Sequence, residues 1–285
     1  MTASLEVPSG KDAAGENFPV GSWLIRRDLR PHVHVFYRFA RAADDIADDA
    51  VLAAAEKLRR LDRMERILTG ESGVADAEAP TAAAMRRSLA ATGVTPLHCR
   101  DVLRAFRLDA TKRRYEDWDD LMEYCRYSAA PVGRQLIDLH GEDRAAYPAS
   151  DALCSALQVL NHLQDCGADY RALDRVYLPR RELAATGADI AELGGGRLTA
   201  GMRAALDALL DRTGQLIRAA EALPPAIAAA GLRCESAIIV VLAGRLLGLL
   251  RRGDPLAGRV GLTKGDFAWA LAAGLWRGLR QRAPG

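Results

Sequence analysis

The chain has 285 residues, 49% of them hydrophobic but only 6% aromatic, and its 39 Lys and Arg nearly balance 37 Asp and Glu to leave a formal charge of +2 at pH 7. That length can bury a sizeable core, and no linker-like stretch divides it, so a single domain over residues 1–285 is expected, with residues 1–15 flexible. The dispersed, nearly neutral charge excludes a basic nucleic-acid-binding stripe.

In chain order, the first informative element covers residues 31–48. Phe36, Phe39, Ala40, Ala43, Ile46 and Ala47 recur with the period of one helical face and should pack on a core. Tyr37, Arg41, Asp44 and Asp48 form a second stripe, which places a phenol, a guanidinium and two carboxylates side by side. His32 and His34 diverge on a helix and lack a third partner, so they read as structural or lining residues rather than metal ligands.

Gly and Pro mark breaks at residues 70–80, 147–150, 194–196, 223–225 and 253–258. Thr95-Pro96 and Ser150-Asp151 read as helix starts with capping oxygens. The triple glycine at 194–196 reads as a turn, because no strand precedes it and no dinucleotide-binding pattern forms.

Between the second and third breaks, residues 153–169 repeat the first design. Leu153, Ala156, Leu157, Leu160 and Gly167 share one stripe, and Gln158, Asn161, Asp165 and Asp169 share another. Oxygen-only side chains at this spacing suit magnesium, a hard cation usually held by one or two carboxylates together with waters and substrate phosphates. A charged stripe usually marks a solvated helix face. Such faces normally carry Lys four residues from an acid, and neither array has a Lys, so uncompensated repulsion on two helices argues for a cation between them.

Further on, the apolar run at residues 237–244 is followed at once by Arg245. It is too short to span a bilayer and reads as a buried helix beside an apolar pocket. The five cysteines, Cys99, Cys125, Cys154, Cys166 and Cys234, are odd in number and scattered, with no secretory signal before them. They read as reduced, mostly buried thiols of a cytoplasmic protein. Long Ala/Leu/Arg-rich periodic stretches without alternating β-branched runs predict an all-α fold.

Tyr37-x-x-x-Arg41-x-x-Asp44-Asp45-x-x-Asp48 together with Gln158-x-x-Asn161-x-x-x-Asp165-x-x-x-Asp169 resembles the squalene and phytoene synthase family. Residues 124–133 and Arg175-Val176-Tyr177-Leu178-Pro179 extend the likeness. Ala168 departs from it, standing where many members carry a Glu. Residues 16–22, 39–48 and 160–171, with Pro131-Val132-Gly133-Arg134, narrow the resemblance to the branch found in bacterial hopanoid operons. That branch converts presqualene diphosphate and water into hydroxysqualene and diphosphate.

The resemblance implies an isoprenoid-synthase helical bundle around a central apolar cavity, an isoprenoid diphosphate substrate, and magnesium but no nicotinamide cofactor. The metal ligands implied are Asp44, Asp48, Asn161, Asp165 and Asp169. Arg41 and Arg171 would bind diphosphate oxygens, with Phe18 and Asp45 as further substrate-binding candidates. Tyr37, Tyr124 and Gln158 join Arg41 as catalytic candidates that orient diphosphate, cation or water. Association with the presqualene diphosphate synthase and the flavin-dependent reductase is implied, as is peripheral membrane contact through the basic end at residues 277–282. Two other readings stay open: a head-to-head prenyl transferase making presqualene diphosphate or phytoene, and a non-catalytic assembly protein on the same fold.

Overall fold

A computed structural model describes residues 5–6 and 22–280, so Phe18 lies outside the described residues. Helices follow in the order α1 (Arg30–Asp48), α2 (Ala54–Thr69), α3 (Pro80–Thr92), α4 (Leu97–Asp109), α5 (Trp118–Ser128), α6 (Ala130–His140) and α7 (Tyr147–Leu173). The second half adds α8 (Arg180–Ala185), α9 (Ala200–Ala220), α10 (Leu223–Ala226), α11 (Ala230–Arg252) and α12 (Lys264–Arg280). The fold is all-α, as the periodicity predicts, and the one β-type pairing among the described residues is an isolated bridge between Arg114 and Val176.

α1 buries Val33, Phe36, Phe39, Ala43, Ile46 and Ala47, nearly the face read from its pattern, and packs on α2, α3 and α4. α7 packs on α6, α9 and α11. One continuous core links these helices from Ile25 to Leu256, with a smaller cluster of Ile238, Val241, Leu242 and Ala270 where α12 meets α11.

Several helix ends follow the turn chemistry of the sequence. Gly70 and Gly93 close α2 and α3 in the left-handed conformation, and Thr95 Oγ1 accepts the Leu97 amide at the start of α4. Ser150-Asp151 is not a helix start: α7 begins at Tyr147, with Pro148 in its first turn, where a proline's missing N–H costs nothing, and it runs through Ser150. The apolar run lies inside α11, with Ala237, Ile238, Val240, Val241, Leu242 and Ala243 buried. No described helix is long and apolar enough to cross a membrane.

Candidate active site

α1 and α7 bring the two acidic arrays to one recess, and the segment after α7 ties them together. Asp174 ends α7 at φ +50°, a left-handed turn that carries the chain back toward α1. Residues 175–181 then lie along residues 113–116, held by amide bonds from Val176 to Arg113 O (2.9 Å), Arg180 to Tyr115 O (3.0 Å) and Arg181 to Glu116 O (3.0 Å). This placement delivers Arg175, only 7% exposed, to the floor of the recess. Its Nη1 donates to Asp48 Oδ1 at 2.8 Å and its Nη2 to the Asp109 carbonyl at 3.0 Å, so one guanidinium joins α1, α4 and the end of α7.

Beneath Arg175 lies a buried polar knot. Asp109 accepts from Tyr124 Oη at 2.8 Å and from Tyr177 Oη at 2.9 Å. His162 stacks on the Tyr177 ring with centroids 3.4 Å apart; Tyr115 also stacks on Tyr177 and lies tilted against Tyr124, with centroids 5.4 Å from both. Burial pushes His162 down to about 3, reinforced by the Arg175 charge, so its ring is neutral at pH 7. Gln158 Nε2 lies 3.0 Å from His162 Nε2, which orients the amide from one turn away. Burial raises Asp109 to about 6, against the opposing pull of Arg175 and the two phenols.

The arrays themselves repel across the recess. Burial and the nearby Asp48 push Asp44 up to about 7, although Arg41 Nη1 donates to Asp44 Oδ2 at 2.9 Å. Burial and Asp165 push Asp169 up to about 7 as well, with Asp48 and Asp109 adding to the effect across the helix pair. A carboxylate on α7 that feels a carboxylate on α1 is the electrostatic signature of two facing arrays. Arg41 also reaches Asp45 at 3.5 Å.

Oxygen donors of this kind fit magnesium, and an ion here would relieve the repulsion that raises Asp44 and Asp169. Among the described residues, no three His, Cys, Asp or Glu side chains converge closely enough to hold an ion unaided. Arg171 is exposed in the last turn of α7, its guanidinium beside Gly167, where a Cβ would lie 3.1 Å from Nη1.

Next to the recess lies an apolar cavity which, with its mouth, encloses about 1020 Å³ free of protein atoms. Tyr37 from α1, Leu153 and Leu157 from α7, and Leu232, Glu235 and Ile239 from α11 are among its walls. Gly133 from α6 also lines it, and a Cβ there would stand 2.1 Å from Ser150 Oγ. Among the described residues Glu235 is the one carboxyl in the lining; it is 5% exposed, accepts a hydrogen bond from Ser22 Oγ, and is raised by burial.

An acidic, arginine-backed recess beside an apolar cavity is what a prenyl diphosphate needs, and comparison with known proteins agrees. The squalene/phytoene synthase family model matches residues 11–266. The chain belongs to this family. It is 45% identical over 270 residues to a hydroxysqualene synthase of Rhodopseudomonas palustris, covering 95% of this chain and 91% of that one. A hydroxysqualene synthase of Sinorhizobium fredii is 47% identical over 248 residues, covering 87% and 84% of the two chains. The crystal structure of squalene synthase HpnC from Alicyclobacillus acidocaldarius superposes with a TM-score of 0.71 at 31% identity, over 82% of this chain and 87% of that one. A dehydrosqualene synthase, at 21% identity and a TM-score of 0.79, shares the fold.

Within the family, the sequence reading placed Tyr37, Arg41, Asp44, Asp45 and Asp48 on α1 and Gln158, Asn161, Asp165 and Asp169 on α7, where the structure also has them. Tyr124 enters through its bond to Asp109, its hydroxyl buried in the knot. Asp109, Tyr115, His162 and Glu235 escaped the sequence reading, and Arg175 and Tyr177 were noted only as part of a motif. Of these, only His162 carried a signal, lying one helical turn beyond Gln158.

Proposed function

We propose that this protein converts presqualene diphosphate and water into hydroxysqualene and diphosphate with magnesium bound between α1 and α7. The observation that carries the reading is the pairing of two facing carboxylate arrays with an adjoining apolar cavity that holds a single carboxyl. The name shared by the 43–47% identical relatives supports the choice of branch.

Asp44, Asp48, Asn161, Asp165 and Asp169 would hold the metal, which supplies positive charge to the leaving diphosphate. Arg41 retains donors beyond those that engage Asp44 and Asp45, and these would bind diphosphate oxygens by charge-assisted hydrogen bonds. Arg175 keeps Asp48 in place and offsets the charge of Asp109. Cleavage of the C–O bond sends its electron pair out with diphosphate and leaves a cyclopropylcarbinyl cation in the cavity. The apolar walls exclude bulk water, while Tyr37 and the oriented amide of Gln158 face the reacting end. Glu235 would hold the one water admitted. As the water oxygen bonds to the cation, the proton it loses passes to the Glu235 carboxylate.

Incubating the purified protein and magnesium with presqualene diphosphate, beside a parallel tube of farnesyl diphosphate and with no reductant in either, tests the reading. Hydroxysqualene from the first tube alone is expected. Presqualene diphosphate formed in the second tube would reassign the chain as a head-to-head prenyl transferase. Silence in both would point to a non-catalytic role.

A further inference from the structure

α12 turns two unlike faces to its surroundings. Asp266, Ala270, Gly274 and Gly278 are buried at four-residue spacing, and this narrow stripe seats the helix closely on α11. A Cβ on Gly274 would stand 2.6 Å from Ile238 Cα, and one on Gly278 would stand 2.8 Å from Cys234 Cα. On the far side, Leu271 (38% exposed), Trp276 (60%) and Leu279 (69%) share a face with Ala268 and Ala272, with Trp269 (57%) at its edge. Nine large hydrophobic residues are exposed among the described residues, and five of them are on this one helix. Such clustering marks an interaction surface rather than ordinary surface scatter.

The rim of that face is basic. Arg280 lies over the Trp276 ring at 3.7 Å, and Arg277 follows on the same edge. Arg277 also lines a groove between α9, α11 and α12 together with Arg245, Arg252, Trp269 and Val240. Glu221 is the one carboxylate lining the groove, and Asp266, which engages Arg245, is buried.

We propose that α12 docks on an anionic lipid surface, lying in the interface plane with Trp269, Leu271, Trp276 and Leu279 in the headgroup boundary and Arg252, Arg277 and Arg280 against lipid phosphates. Tryptophans on an apolar face flanked by arginines are the composition that binds this boundary, and each basic residue near an anionic surface strengthens the attachment. Charge decides against a second copy of the chain as occupant. The exposed face carries no acid to pair with the arginines, and another copy would bring only more of them. The sequence expectation put membrane contact on the basic end at residues 277–282; the structure adds the apolar face that gives those charges a purpose, while Arg282 lies outside the described residues. The opposite side of α11 contributes Leu232, Glu235 and Ile239 to the apolar cavity, so a docked α12 leaves that cavity one helix away from the lipid.

Vesicle flotation of the full-length protein, without substrate or magnesium, tests the proposal independently of any catalysis. Vesicles of phosphatidylcholine with phosphatidylglycerol should carry the protein and shift its tryptophan emission to the blue, whereas phosphatidylcholine alone should bind it weakly. The exposed-site variant W276A/L279A should bind anionic vesicles at least about tenfold less well. R277E/R280E should lose the preference for anionic lipid, and both variants should keep wild-type helicity. Wild-type protein left unbound by anionic vesicles, or binding untouched by either double substitution, would overturn the proposal. A concentration-dependent dimer abolished by W276A/L279A, with no vesicle binding, would replace it with self-association.

Discussion

Asp44 and Asp169 share one constraint from opposite helices: each is buried near like charges, Asp44 even with its bond to Arg41. Replacing Asp44 or Asp165 with Ala removes an oxygen proposed to hold the metal, and turnover should fall at least about a thousandfold, the equivalent of several kcal/mol of charge stabilisation, while far-ultraviolet circular dichroism stays unchanged. Burial, with that repulsion added to it, sets a pH dependence in the metal-free protein. A carboxyl raised from 3.8 to about 7 by folding binds its proton more tightly in the native state, so stability is lost as pH climbs from about 4 to about 7. Thermal melting of the metal-free protein should therefore fall across that window. Asp169→Asn should flatten the fall and gain about 1–2 kcal/mol at pH 8. The role proposed for Glu235 lies at a different step. Glu235→Gln should release diphosphate at close to the wild-type rate yet divert product from the alcohol to hydrocarbons formed by proton loss; an unchanged alcohol fraction would remove Glu235 from water capture.

Among the elements, α1 and α7 were legible because their chemistry repeats on a helical period. Phe36, Phe39 and Ile46 announce one face of α1, and the unbalanced acids announce another. Asp109, Arg175 and Tyr177 were not legible in the same way, since they act through pairings between remote segments and lie on no periodic stripe. The start of α7 was misplaced for a local reason: a proline suits a first turn as well as a break, and only the packing of Ala146 and Tyr147 decides between them. α11 depends on a close approach that composition does not reveal. A Cβ on Gly231 would stand 2.0 Å from the Leu24 carbonyl oxygen, a backbone atom with no rotamer to yield. Gly231→Ala should cost about 1–3 kcal/mol and lower the melting temperature by several degrees, because Leu24 and the start of α11 must move apart.

For the whole molecule, the all-α class, an apolar cavity and the pairing of acid arrays were expected in advance, whereas the residues that wall the cavity, the polar knot and the exposed face of α12 needed the helices in place. Ligand linkage gives a global test of the site. Magnesium with inorganic diphosphate, added at 100 times the dissociation constant, should raise stability by about 2.7 kcal/mol. The gain should vanish in the Asp44→Ala variant. Magnesium alone should do much less, since no described carboxylate cluster closes around an ion unaided. The bond from Arg175 to Asp48 spans 127 positions of chain. At translation rates of 5–20 residues per second, Asp48 leaves the ribosome about 6–25 s before the guanidinium that will neutralise it. During that interval the nascent α1 carries its acids without their long-range counterion. The proposed diphosphate recess is therefore assembled late in synthesis, and a ribosome stalled before residue 175 holds a chain with the first array made and no complete site.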